Sequence, residues 1–200
     1  MTRPVTLACL AICLLAASCA STKFETSGSA PTRPLCQERG QSRSALVLWG
    51  PQWRTDQKDV HSREEAARTG IESFLSSSGC FARYEVRRLA SGDASAAPSR
   101  QELLALAATT NPTPDRVLAI TVRELGPIVK LLSSAALVEG GTEVVLGITA
   151  AAVDSGALLA NHETHWQHGG AMVVRGTSSL SQDMRAALSA SLGPAGHAPP

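Results

Sequence analysis

The chain is poor in aromatic residues, with three Trp, three Phe and one Tyr in 200 residues, so any core must be built from Leu, Val, Ile and Ala. It is equally short of net charge, at a formal +1. That balance, without a basic stripe, excludes a nucleic-acid surface of the usual kind. Beyond the first eighteen residues no apolar run approaches the roughly 20 residues that span a bilayer as a helix. The apolar stretch from Ile128 to Val138 is interrupted by Lys130 and reads instead as a greasy sheet edge that a partner covers. There is no Gly-x-Ser-x-Gly elbow and no phosphate-binding glycine loop ahead of a helix, so no motif asks for a cofactor or marks a nucleophile.

Cysteine is scarce and unevenly placed: Cys9, Cys13, Cys19, Cys36 and Cys80. The first two lie in a leader. Arg3 supplies a short positive segment, Val5 to Ala17 is almost wholly apolar, and small residues follow at Ala16-Ala17-Ser18. This is the pattern of a secretory signal over residues 1–18. Its removal takes Arg3 with it and leaves 17 basic against 17 acidic residues. In an oxidising compartment the remaining pair, Cys36 and Cys80, reads as a disulfide, the alternative being two separate buried thiols.

The run Leu15-Ala16-Ala17-Ser18-Cys19 resembles the lipobox of bacterial lipoproteins, with Ala16 where that family usually has Leu. The resemblance implies cleavage before Cys19, acylation of its thiol (a palmitate-type chain) and of the new N-terminus, and a membrane anchor; an ordinary signal cut near the same residues is the alternative. Ala20 stands where an Asp would resemble the inner-membrane retention signal, so the resemblance favours the periplasmic face of the outer membrane.

Residues 19–44 are rich in Ser, Thr, Gly and Pro and read as a lipidated Cys and a flexible tether. A single α/β (α+β) domain is expected over 45–192, with a loose tail at 193–200. Ser44 to Trp49 reads as a buried strand closed by Gly50-Pro51. Three capping boxes, at Ser62–Glu65, Ser99–Glu102 and Ser179–Gln182, open three helices with apolar stripes. Strands are expected at Phe81–Leu89 and Val117–Val122, the latter resuming to Leu131. A hairpin follows, Glu143–Val153 and Ala157–Gln167 around Asp154-Ser155-Gly156, with Gly140-Gly141 marking a turn. The order is β-α-β-α-β-β-β-α, a single mixed sheet packed with three helices.

Three passages resemble a family of envelope domains: Gly79 followed by Phe81-Ala82-Arg83-Tyr84-Glu85-Val86, the strand Asp115 to Val122, and the hairpin Val153-Asp154-Ser155-Gly156-Ala157-Leu158-Leu159. That family includes the N-terminal domain of TolB, the curli secretion lipoprotein CsgG and lipoprotein activators of penicillin-binding proteins. The resemblance implies an adaptor or assembly role in a cell-envelope machine, with an envelope protein as partner and no enzymatic chemistry.

Two constellations invite a sharper function. His162, His165 and His168 fall within seven residues, but on a strand side chains alternate. His162 and His168 then share a face and His165 points away, so two ligands at most arise here; the alternatives are a small hydrolase or metal-binding protein and a polar, solvent-facing strand. Trp53 and Arg54 follow the carboxyl end of the first strand, where ligands gather on open α/β sheets. They are the candidate partner-binding pair, the alternative being that Trp49 is core and Trp53 caps its edge. A periplasmic ligand binder is the remaining alternative.

Overall fold

A computed structural model describes residues 20–31, 34–36, 43–89, 97–132, 137–171, 173 and 175–193. The segment expected to be a signal, residues 1–18, lies outside them, as do Cys19 and residues 194–200. The elements are β1 Ser21–Ser29, β2 Ser44–Pro51, α1 Val60–Ser78, β3 Arg83–Arg88, α2 Arg100–Ala108, β4 Arg116–Leu132, β5 Leu137–Ala152, β6 Leu158–Ala171 and, after a 3-10 turn at Thr177–Ser179, α3 Leu180–Leu192. The expected fold class, one mixed sheet with three helices, is what forms. The six strands run in the order β1-β6-β5-β4-β2-β3. Among the described residues no helix is long and apolar enough to cross a membrane.

The connections decide which face each helix covers. β2 pairs in parallel with both β3 and β4. Crossovers are right-handed, and the step from β2 to β3 runs opposite to the step from β3 across to β4. The two crossover helices therefore land on opposite faces. α1 packs Ala67, Ile71, Phe74 and Leu75 on the first face, joined by Leu180, Met184, Ala187, Leu188 and Leu192 of α3. α2 sets Leu103 and Ala107 on the second face, against Leu46, Leu48, Val117, Ala119 and Ala151. β4, β5 and β6 follow one another antiparallel, with β1 antiparallel to β6. Hairpin connections carry no helix, so nothing in this stretch adds cover to the second face.

The helices α1 and α3 meet at Gly70, where a Cβ would lie 2.6 Å from Met184 Cβ. The N-terminal corner is closed by the Cys36–Cys80 disulfide, which spans 44 residues. The Cys36 N–H also donates to the Leu192 carbonyl at the end of α3 (3.1 Å), and Leu35 and Cys36 pack against the core. Asp115 pins the starts of β2 and β4 together. Its carboxylate accepts from the Ser44 N–H (2.6 Å) and hydroxyl (2.8 Å), which hold its pKa below the usual carboxylate range.

Several local expectations are corrected. The tether reading fails over Ser21–Ser29, which form a nine-residue edge strand paired with β6 from Ser21↔Gly169 to Ser29↔Asn161. It also fails at Leu35-Cys36, which the disulfide draws into the fold. Gly140-Gly141 is no turn. It lies inside β5 opposite Gly170 and Gly169, where a Cβ on Gly141 would come within 2.4 Å of the His168 carbonyl. Of the three capping boxes one forms: the Ser99 hydroxyl accepts from the Glu102 N–H (3.3 Å) while the Glu102 carboxylate accepts from the Ser99 N–H (2.7 Å). α1 begins earlier, at Val60, behind a left-handed Asp59. At α3 the Ser179 hydroxyl donates to Asp183 (2.8 Å) rather than serving the helix backbone. The third strand is one continuous strand with a bulge between Val122 and Glu124.

Candidate interaction face

Past the reach of α2, the second face of β4, β5, β6 and β1 shows a polar surface. Alternation sends Val144, Leu146 and Ile148 into the first-face core. It sends Glu143, Val145 and Gly147 to the second face, opposite Gln167, His165 and Glu163 of β6, with Thr149, buried at the margin, opposite Asn161. These side chains bond across the strands. Arg123, released by the β4 bulge, reaches Glu163 in an ion pair whose side chains are 45% and 38% exposed. His165 meets the Glu143 carboxylate, which also accepts from the Gln167 amide (3.0 Å). The Thr149 hydroxyl donates to the Asn161 carbonyl oxygen (3.3 Å). The result is a ladder of paired polar and charged groups.

Its margin is built where β2 stops. The last β2 pairing is Pro51↔Val122, and beyond it β4 would expose a bare edge. Arg63, from the first turn of α1, supplies the missing donors. Its guanidinium donates to the Leu125 carbonyl and to Glu124 (3.1 Å), and its Nε to the Lys58 carbonyl (2.8 Å). Arg63 is 8% exposed. Gly126 makes room for it, since a Cβ there would lie 1.8 Å from a guanidinium nitrogen. Glu124 is shared with Arg54 at 3.1 Å, and a shallow depression lined by Gln52, Arg54, Arg123, Glu124, Glu143 and Val145 joins this corner to the ladder.

Trp49 is core, at 3% exposure. Trp53 packs against the same core with its indole N–H buried and unpartnered. Arg54, with its side chain 67% exposed, is the displayed member of the predicted pair. What sequence reasoning missed is the part played by Arg63 and Glu124. The bulge frees Arg123, and nothing in the sequence announces a bulge.

The histidines divide as alternation requires. His162, 5% exposed on the first face, bonds Ser191 through Nε2 (2.9 Å) and leaves Nδ1 unpartnered; burial pushes its pKa down. His168 meets the Thr22 hydroxyl through Nδ1 (2.8 Å) and stacks on Trp166 at 5.8 Å. Burial lowers its pKa, Arg175 adds to the effect and Asp183 opposes it. His165 lies on the other face. The three do not converge, and no cluster of three or more His, Cys, Asp or Glu able to hold a metal occurs among the described residues. The glycine-rich end of β5 and β6, with Ser21, Lys23, Thr142 and His168, encloses about 30 Å³, room for little more than a water molecule.

No protein-family model matches the chain, and no curated protein matches it. Among solved structures it is similar to the PelC dodecamer from Paraburkholderia phytofirmans, with 16% identity, a TM-score of 0.42, and coverage of 86% of this chain and 98% of that one. It is also similar to the lipoprotein GNA1162 from Neisseria meningitidis, with 19% identity, a TM-score of 0.42, and coverage of 70% and 90%. A third is protein XCC0632 from Xanthomonas campestris, at 13% identity and a TM-score of 0.38, covering 82% and 89%. At identities of 19% or less and TM-scores of 0.42 or less, these likenesses leave the family open.

Proposed function

We propose that the chain is an exported, lipid-anchored adaptor of the cell envelope, held through Cys19 and docking a protein partner on the open ladder of β4, β5 and β6. The observation that carries this reading is the ladder itself. An array of cross-strand polar contacts, the Arg123–Glu163 ion pair and the hydrogen bonds around Glu143, left uncovered by α2, offers a partner many directional contacts. Paired charges at a rim favour orientation and selectivity over raw affinity. The Cys36–Cys80 bridge supports the export half of the proposal, because stable disulfides belong to oxidising compartments. The proposed site is the periplasmic face of the outer membrane.

The test is site-specific photocrosslinking in cells, with the reactive group placed at Glu163 on the ladder or at Glu72 on the exposed side of α1. A discrete adduct from position 163, lost when Arg123 is reversed to Glu and absent from position 72, is the expected outcome. Equal labelling from both positions sinks the adaptor reading. Separately, Cys19→Ser should release the protein from the membrane fraction, and continued membrane association of that variant rules out the anchor.

A further inference from the structure

β2 and β3 are parallel neighbours whose chains leave toward opposite faces. From β2 the chain passes to α1 on the first face, and from β3 to α2 on the second. In open α/β sheets ligands sit outside the carboxyl ends of the strands at such a divide. Here the divide falls at Trp49↔Arg88, the last pair between the two strands. A cleft of about 410 Å³ opens at that place, lined by Trp49, His61, Glu64, Glu65, Arg68 and Arg88. Its volume lies within the range of small-molecule sites, roughly 300–1,000 Å³.

The path of α1 makes the cleft. Gly70 lets that helix close on α3, and Arg63 ties its first turn to β4. Its other flank faces the edge strand β3 across the cleft, and there His61, Glu64, Glu65 and Arg68 recur at helical spacing. The far wall is Arg88. Its guanidinium rests over the Trp49 ring, 5.9 Å from the centroid, and donates to Glu64 at 2.7 Å. These contacts hold the planar group in place, and the bond to Glu64 uses one of its five N–H donors. Arg68 is held by a half-exposed ion pair with Glu72 at 3.2 Å, a kind of contact weak enough to yield to a ligand. Glu65 is exposed and has no partner among the described residues.

Two guanidinium groups and two carboxylates share this cleft, so it suits neither a plain anion nor a plain cation. It suits a molecule that carries both signs. Glu65 and Arg68 are three residues apart, roughly 4.5 Å along the helix axis. Two residues of extended peptide span at most roughly 7 Å, so their ends reach both groups. We infer that the cleft binds a zwitterionic dipeptide, its ammonium group at Glu65 and its carboxylate between Arg68 and Arg88. Guanidinium donors meet a carboxylate in parallel pairs, which fixes the direction of the peptide as well as holding it. The cleft lies on the first face, away from the ladder of β4, β5 and β6, so this binding is separate from the docking proposed above.

The experiment is calorimetric titration of the full chain with alanyl-alanine, and with its N-acetyl and C-amide forms, each of which lacks one terminal charge. The expected result is saturable binding of alanyl-alanine with a Kd below about 1 mM, and binding at least about tenfold weaker for either blocked form. Glu65→Gln should weaken alanyl-alanine about tenfold and remove its advantage over the N-acetyl form. Arg88→Gln should weaken it similarly and remove its advantage over the amide. Arg87→Gln, on the other face of the same strand, should change neither. Because Glu65 is exposed and unpartnered, its variant keeps the test open even if Arg88→Gln disturbs the β3 edge. No saturation by about 10 mM alanyl-alanine overturns the inference. So do blocked peptides that bind equally well, and so does binding that survives Glu65→Gln unchanged.

Discussion

The two faces of the sheet are made from the same strands and have opposite fates. Leu146 and Val145 are neighbours on β5, yet the first is wholly buried and the second borders a charged depression. The difference lies less in composition than in connectivity. Crossovers deliver a helix to a face, whereas hairpins deliver none. Where β2 and the first half of β4 lie between the crossover helices, both faces are dry, and only the edge strand β3 stays largely exposed there. Where β4, β5 and β6 continue by hairpins, only the face that α3 returns to cover is dry. The open polar face of this fold is what the chain's path leaves over.

The sharpest break of the dry side comes from its covalent corner. Replacing Cys36 and Cys80 together by Ser should cost about 4 kcal/mol in the chain-entropy view for a loop of this length, read as a fall in the denaturant midpoint. A loss below 1 kcal/mol would mean that the corner is held by packing alone. Next, Leu146→Ala should destabilise by about 3 kcal/mol through the cavity it leaves. Val145→Ala, one residue along, should cost less than about 1 kcal/mol; equal losses would erase the distinction between the faces. Arg63→Leu should cost roughly 2 kcal/mol, because it strips donors from the buried Leu125 carbonyl and leaves Glu124 short of a partner. Hydrogen exchange should then rise along the β4 edge and not in α3.

The smallest effect is in pH. Burial lowers the pKa of His162 in the folded chain, so the unfolded chain binds more protons as pH falls through about 6.5. The stability that neutral His162 contributes is present above that value and is lost progressively toward pH 5. Thermal melts across this range should slope downward by a few degrees, and His162→Gln should flatten the slope. An unchanged slope would place its origin elsewhere, His168 being the next group to replace.

Much of this was legible in the residues and some was not, for identifiable reasons. The run Ala45 to Trp49 marks a strand buried on both faces because it is apolar at every position, and period-two alternation separates His162 and His168 from His165. The α3 stripe from Leu180 to Leu192 is equally plain. β1 is invisible to such reasoning. Its residues are all exposed, so it carries no hydrophobic pattern, and its stability comes from backbone bonds to β6 that any polar sequence can make. Gly140-Gly141 misleads because glycine punctuates turns and also permits close strands, and only the pairing with Gly169-Gly170 tells which. The serines at the starts of α1 and α3 have the capping pattern but not the geometry, since Asp183 takes the Ser179 hydroxyl and α1 begins at Val60, two residues ahead of Ser62. The candidate face was legible only at Arg54 and His165; its other members depend on a bulge and on cross-strand register.

The edge strand also sets a schedule. Ser21 waits for Gly169, a partner 148 residues later in the chain, so the first strand in the sequence is the last to find its place. Closing so long a loop is slow and entropically costly. Until β6 is in place its outer edge does not exist; docking of β1 against that edge then closes the sheet.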